Sequence, residues 1–82
     1  MNRTELEQRL KVESVPDDTY CLDGGLPNDR YCVEKNLNGW EVYYSELGTR
    51  YEVRVFTSEQ EAFDNLYERL MEMMKAWRSH NG

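Results

Sequence analysis

The stretch that decides the fold is YCVEKNLNGWEVYYSELGTRYEVRVF, residues 31–56. Three runs within it, Tyr31 to Asn36, Trp40 to Ser45 and Arg50 to Phe56, are rich in aromatic and β-branched residues and are separated by turn formers. That is the pattern of adjacent antiparallel strands. Asn38-Gly39 is a favoured type I′ pair, because both residues tolerate positive φ. A two-residue loop there sets Leu37 opposite Trp40, Lys35 opposite Val42 and Val33 opposite Tyr44. Centring the next turn on Leu47-Gly48 sets Tyr44 against Tyr51, Val42 against Val53 and Trp40 against Val55. Leu is a poor choice for positive φ, so a four-residue loop in that register is expected. One face then carries Val33, Leu37, Trp40, Val42, Tyr44, Tyr51, Val53 and Val55. The other carries Cys32, Glu34, Asn36, Glu41, Tyr43, Ser45, Arg50, Glu52 and Arg54, with Glu41 facing Arg54. A slip of one residue would mix the two sets, so the segregation supports the register.

Beyond the strands, Ser58 and Glu61 form a capping box that opens a helix from Glu59 to about Arg78. Phe63, Leu66, Leu70, Met73 or Met74, and Trp77 recur along it at three- and four-residue steps, a stripe suited to covering one sheet face. Before the strands, Thr4 and Glu7 suggest a second capping box, with Leu6 and Leu10 one turn apart. That thin stripe predicts a short helix that docks weakly and ends before Val15-Pro16. A brief strand at Tyr20-Cys21-Leu22 follows, and the turn formers from Asp23 to Asp29 read as a loop. The expected fold is α+β in a single domain, residues 1–82. It has a short N-terminal helix, a three- to four-stranded antiparallel sheet, and a long C-terminal helix packed on one sheet face.

The chain has 82 residues and a formal net charge of −6. Residues 13–52 hold nine acids against three bases, so the whole imbalance lies in the middle of the sequence. Such a surface repels phosphate backbones and anionic membranes and attracts basic proteins. Direct nucleic-acid binding is not expected. No apolar run approaches the length of a membrane helix and the N-terminus has no signal-peptide core, so the chain reads as cytoplasmic.

Little in the sequence suggests catalysis. Nucleophilic chemistry needs a base beside a thiol or hydroxyl, and the lone histidine, His80, lies in what reads as a frayed tail. Sixteen acidic residues on so small a domain read as a solvated coat, because tuning a carboxyl for acid–base work needs an enclosed pocket. Asp17-Asp18 and Asp23 with Asp29 lack the ligand alternation of a calcium loop. Gly24-Gly25 is followed by neither a lysine nor a helix start, so it is no phosphate loop. Cys21 and Cys32 could face each other on neighbouring strands but are expected to be reduced thiols. Met71, Met73 and Met74 read as core filler. No catalytic, metal-binding or cofactor-binding residue is assigned, and no cofactor is expected.

What remains is the surface. Acids around an exposed aromatic make a docking site for a basic protein, with charge steering the encounter and the ring anchoring it. The residues expected to form it are Asp17, Asp18, Asp23, Asp29, Glu34, Glu41, Tyr43, Glu46 and Glu52. The competing reading of the same face is an ordinary wet side of an antiparallel sheet, or one covered by the short helix.

The segments Tyr20 to Asn28, Tyr31 to Lys35 and Gly39 to Glu46, with the helix opening Thr57-Ser58-Glu59-Gln60-Glu61-Ala62, resemble small bacterial immunity proteins. These are encoded beside polymorphic toxins, including those of contact-dependent growth inhibition. The resemblance spans roughly residues 15–70 and carries no diagnostic motif. It implies a cytoplasmic antidote that binds the toxin domain of its own system and blocks its active site or an essential surface. Many such toxins are nucleases with basic clefts. The chain itself is expected to be a monomer or a weak homodimer. An acidic phage or mobile-element inhibitor of a host nuclease would share the size and acidity. Two further readings are a homodimeric adaptor that pairs through an open face or edge strand, and a small enzyme, which a pocket holding a shifted carboxyl would favour.

Overall fold

The computed structural model describes residues 1–81. His80, read above as part of a frayed tail, has a side chain outside the described ones. The elements run α1 (Arg3–Val12), a 3₁₀ turn (Asp17–Thr19), β1 (Tyr20–Cys21), β2 (Arg30–Asn36), β3 (Gly39–Glu46), β4 (Thr49–Phe56) and α2 (Glu59–Asn81). The sheet order is β1-β2-β3-β4. The fold is α+β as expected, with one correction: β1 runs parallel to β2, so the sheet is mixed. The chain reaches β2 from β1 through the loop of residues 22–29, long enough to return it to the same end of the sheet.

Helix α1 starts earlier than Thr4. Asn2 is its N-cap, accepting the Glu5 N–H at 2.8 Å, while the Glu5 carboxylate accepts the Asn2 N–H at 3.2 Å. Asn is the stronger cap, and Glu7 is already held by Arg3 one turn back at 2.8 Å. The helix ends in a Schellman turn. Ser14 has φ 57°, its N–H donates to the Lys11 carbonyl, and the Val15 N–H donates to the Leu10 carbonyl. Val15 and Leu10 are both buried beside it, the hydrophobic contact that accompanies this motif. Leu6 and Leu10 are wholly buried with Phe63, Leu66 and Leu70 of α2. The short helix therefore docks firmly, on the same sheet face as α2.

The core lies between that helical layer and Val33 and Val42, and Trp40 meets Phe63 edge-on at 5.6 Å. Helix α2 opens as read, with Ser58 accepting the Glu61 N–H at 3.2 Å. Leu70 and Met74 are buried, but Trp77, the last residue of the expected stripe, is mostly exposed.

Both hairpins differ in detail from the sequence reading. Asn36 pairs with Gly39 and Val33 with Val42, so the first loop is Leu37-Asn38 and the register shifts by two. Gly39 alone takes positive φ there, at 118°. A shift of two preserves the faces, although Leu37 ends at the exposed tip. The second loop is the two-residue Leu47-Gly48, both at positive φ, with Glu46 paired to Thr49. The Asn28 side chain accepts the Leu47 N–H at 3.2 Å and helps hold that turn.

The larger departure is in β4. Tyr44 pairs with Tyr51 as read, but Val42 pairs with Arg54 and Trp40 with Phe56. One extra residue is accommodated at Glu52, which has φ 53°. This β-bulge inverts the alternation beyond it. Val53 and Val55 consequently leave the core face and are exposed. Arg54 moves to the helix side, and Glu41 faces Val55, so the Glu41–Arg54 pair does not form.

Candidate partner-binding surface

The sheet face opposite the helices is covered by the loop of residues 22–29. Tyr43, expected as the exposed anchor, is fully buried there with Cys32 and Ser45. Its hydroxyl donates to the Gly25 carbonyl at 2.7 Å. The Gly25 N–H in turn donates to Glu34 at 3.1 Å. Arg50 donates to Glu34 at 2.9 Å and to Glu41 at 3.4 Å, and its guanidinium lies 4.4 Å from the centre of the Tyr43 ring. The Asn36 amide also donates to Glu41. Hydrogen bonds from Gly25 and Arg50 hold the Glu34 carboxyl below the usual range. Burial pushes the Tyr43 phenol up and raises the Cys32 thiol to about 11. Cys21 and Cys32 are free thiols in register on β1 and β2.

Glu34, Glu41 and Tyr43 therefore form an internal polar layer. A paired charge in such a layer is committed to the fold and cannot also steer a partner. Tyr43→Phe should cost about 1 kcal/mol in urea unfolding, since it removes one hydrogen bond whose acceptor belongs to an exposed glycine. A change beyond about 3 kcal/mol would mean that the loop detaches. Asp23 is likewise occupied: Arg3 grips it through two hydrogen bonds, at 2.9 and 3.3 Å, which ties α1 to the loop. That contact holds the Asp23 carboxyl below its ordinary range.

The remaining acids gather elsewhere. Strand register places Tyr20 beside Tyr31, Tyr31 beside Tyr44, and Tyr44 beside Tyr51. One tyrosine from each strand thus forms a row across the sheet. Tyr31 and Tyr44 meet edge-on with centroids 4.8 Å apart. The row opens toward β4: the first three rings are half-buried and Tyr51 is exposed. The Tyr20 hydroxyl reaches Asp17 at 3.4 Å and the Tyr44 hydroxyl reaches Asp29 at 3.4 Å. Glu46 lies two residues along β3 from Tyr44 and so on the same sheet face; loss of hydration, then the charges of Asp29 and Glu46, raises the Tyr44 phenol. Glu52 follows Tyr51 directly and Asp18 follows Asp17. Of the nine expected residues, Asp17, Asp29, Glu46 and Glu52 adjoin the tyrosine row; Asp18 is exposed next to Asp17, and the other four lie away from the row.

Beside the open end of the row, a groove of about 440 Å³ runs between β4 and α2, lined by Tyr31, Glu52, Arg54, Asn65 and Arg69 among others. Asn65 Oδ1 and Arg69 Nη1 are shielded from solvent without a hydrogen-bond partner. Burial lowers the Arg69 pKa, Glu52 opposes that shift and Arg54 adds to it. Unpaired buried polar atoms are uncommon and cost stability, so this side is polarised as well as aromatic.

Sequence reasoning found the facing of Tyr44 and Tyr51 but missed Tyr20, Tyr31, Asn65 and Arg69. The parallel register of a two-residue strand carries almost no sequence signal. Among the described residues, no group of three or more His, Cys, Asp or Glu side chains could hold a metal ion, and no helix is long and apolar enough to cross a membrane. Comparison with protein-family models, curated proteins and solved structures gives no match.

Proposed function

We propose that the protein is a non-enzymatic, stoichiometric inhibitor of the immunity type, which binds a cationic toxin domain of nuclease type in the cytoplasm and occludes its cleft. The observation that carries this reading is the tyrosine row edged by Asp17, Asp29, Glu46 and Glu52. Tyrosine is enriched among residues that dominate binding energy, and a surrounding set of charges accelerates encounter. Four strands at about 4.8 Å spacing make the row roughly 14 Å long, enough to lie along a substrate cleft. On this reading the carboxylates take the place of the phosphates that a nuclease cleft expects, and the net charge of −6 supports long-range steering.

The test is binding to the C-terminal domain encoded by the adjacent upstream gene, followed by surface plasmon resonance at two salt concentrations. Neutralising Asp17, Asp29, Glu46 and Glu52 together should slow association by roughly tenfold and flatten its salt dependence. Tyr44→Ala should instead speed dissociation by about tenfold or more. An unchanged association rate would remove the acidic edge from the site, and an unchanged dissociation rate would remove the row.

A further inference from the structure

The two edges of the sheet differ. The β1 edge is two residues long and lies beside the loop that Arg3 anchors. The β4 edge is eight residues long, and among the described residues β3 is the only strand it pairs with. Tyr51, Val53 and Val55 on it are 47%, 43% and 54% exposed. An open strand of this length is a template for pairing. We propose that β4 pairs antiparallel with β4 of a second copy, about a two-fold axis through Val53 and perpendicular to the sheet.

The charges select this occupant. A two-fold interface must be self-complementary, because each copy presents the same patch to the other. With Val53 on the axis, Glu52 of each copy faces Arg54 of the other, giving two opposite-charge pairs from one strand. Both side chains lie on the helix side, where they line the groove against α2. Val53 and Val55 of the two copies then form one apolar strip on the opposite side. A bulge on an edge strand commonly guards it. Here the guard is incomplete, since β4 has no proline or lysine and its outward charges are complementary under rotation. The product is an eight-stranded sheet with both long helices on one face and the two tyrosine rows offset by four residues along the strands, since Tyr51 of each copy stands opposite Val55 of the other. This dimer is argued independently of the toxin-neutralising reading, although Glu52 serves in both.

Sedimentation equilibrium of the full chain up to about 0.5 mM tests it, a range in which a Kd on the order of 0.1 mM is visible. The wild-type chain should dimerise. Glu52→Arg alone and Arg54→Glu alone each create two like-charge contacts, and both should weaken dimerisation at least roughly tenfold. An equimolar mixture of the two variants should recover heterodimer, because each mixed contact is again opposite in charge. The double variant E52R/R54E should recover homodimer. A wild-type chain that stays monomeric overturns the proposal. Single variants that dimerise as tightly as wild type, or a mixture that fails to pair, overturn it equally.

Discussion

Arg50→Met is expected to lower the unfolding free energy by about 2–4 kcal/mol at neutral pH. The reason lies in the strand register, which sets Glu34 directly opposite Glu41 on β2 and β3. Like charges in that relation repel, and Arg50 is the cation that bridges them, through Nη2 to Glu34 and Nη1 to Glu41. Its guanidinium also covers the buried Tyr43 ring at 4.4 Å. Methionine fills much of the same volume but leaves two carboxylates facing each other under the loop. Breaking a fully buried pair costs roughly 3–5 kcal/mol, and partial exposure of these side chains reduces that figure. Arg50→Lys should recover only part of the loss, because a point charge cannot fork to both carboxylates.

Acid separates this account from a simple packing defect. The Glu34 carboxyl sits below its ordinary value of 4.5 in the folded protein. A depressed folded value means that the stabilisation is fully present above the unfolded value and is lost as pH falls through the folded one. The wild type should therefore weaken below about pH 4.5 on this account. In Arg50→Met the Glu34 carboxyl keeps the Gly25 N–H but loses the arginine and faces an uncompensated like charge, so its depression shrinks. The gap between variant and wild type should narrow as pH falls toward about 4. Urea unfolding across that range is the measurement. A gap that stays constant with pH would show that lost packing, and not charge, explains the variant.

The same network shows why the fold was more legible than the site. Val33, Val42, Phe63, Leu66 and Leu70 obey short-range periodicities, and those periodicities placed them in the core. Whether a carboxylate is available depends on a cation that is distant in sequence. Asp23 is paired with an arginine 20 positions away, Glu34 with one 16 away and Glu41 with the same one 9 away. Counting charge by segment treats all three as available. Tyr43 was misplaced for a related reason: alternation put it correctly on the face away from α2, but only the loop's return over that face buries it. The β4 bulge was unreadable because Glu52 is not a residue type that advertises positive φ. Its consequence was large, since it moved Val53 and Val55 to the surface and Arg54 to the groove.

Gly39→Ala is expected to cost about 2–4 kcal/mol, more than alanine at any glycine with space around it. Asn38-Gly39 looks like a turn dipeptide, but Gly39 is the first residue of β3, paired with Asn36. Its φ of 118° is strained for any residue with a Cβ, at a cost of roughly 1–3 kcal/mol. An added Cβ would also lie 2.7 Å from the Phe56 carbonyl oxygen, a backbone atom that cannot rotate aside. Relief requires the end of β4 to move. Phe56 pairs with Trp40, Trp40 packs on Phe63, and Thr57-Ser58 lead directly into the cap of α2. The strain would thus pass into the core. Gly48→Ala supplies the control: φ is 76° and nothing lies within 4 Å of the added carbon, so only the backbone penalty of about 1 kcal/mol should appear. Unfolding of the two variants, with near-ultraviolet circular dichroism to follow the Trp40 environment, separates strain from collision. Equal losses for both would mean that β4 yields freely at Phe56 and that the close approach there does not constrain the sheet.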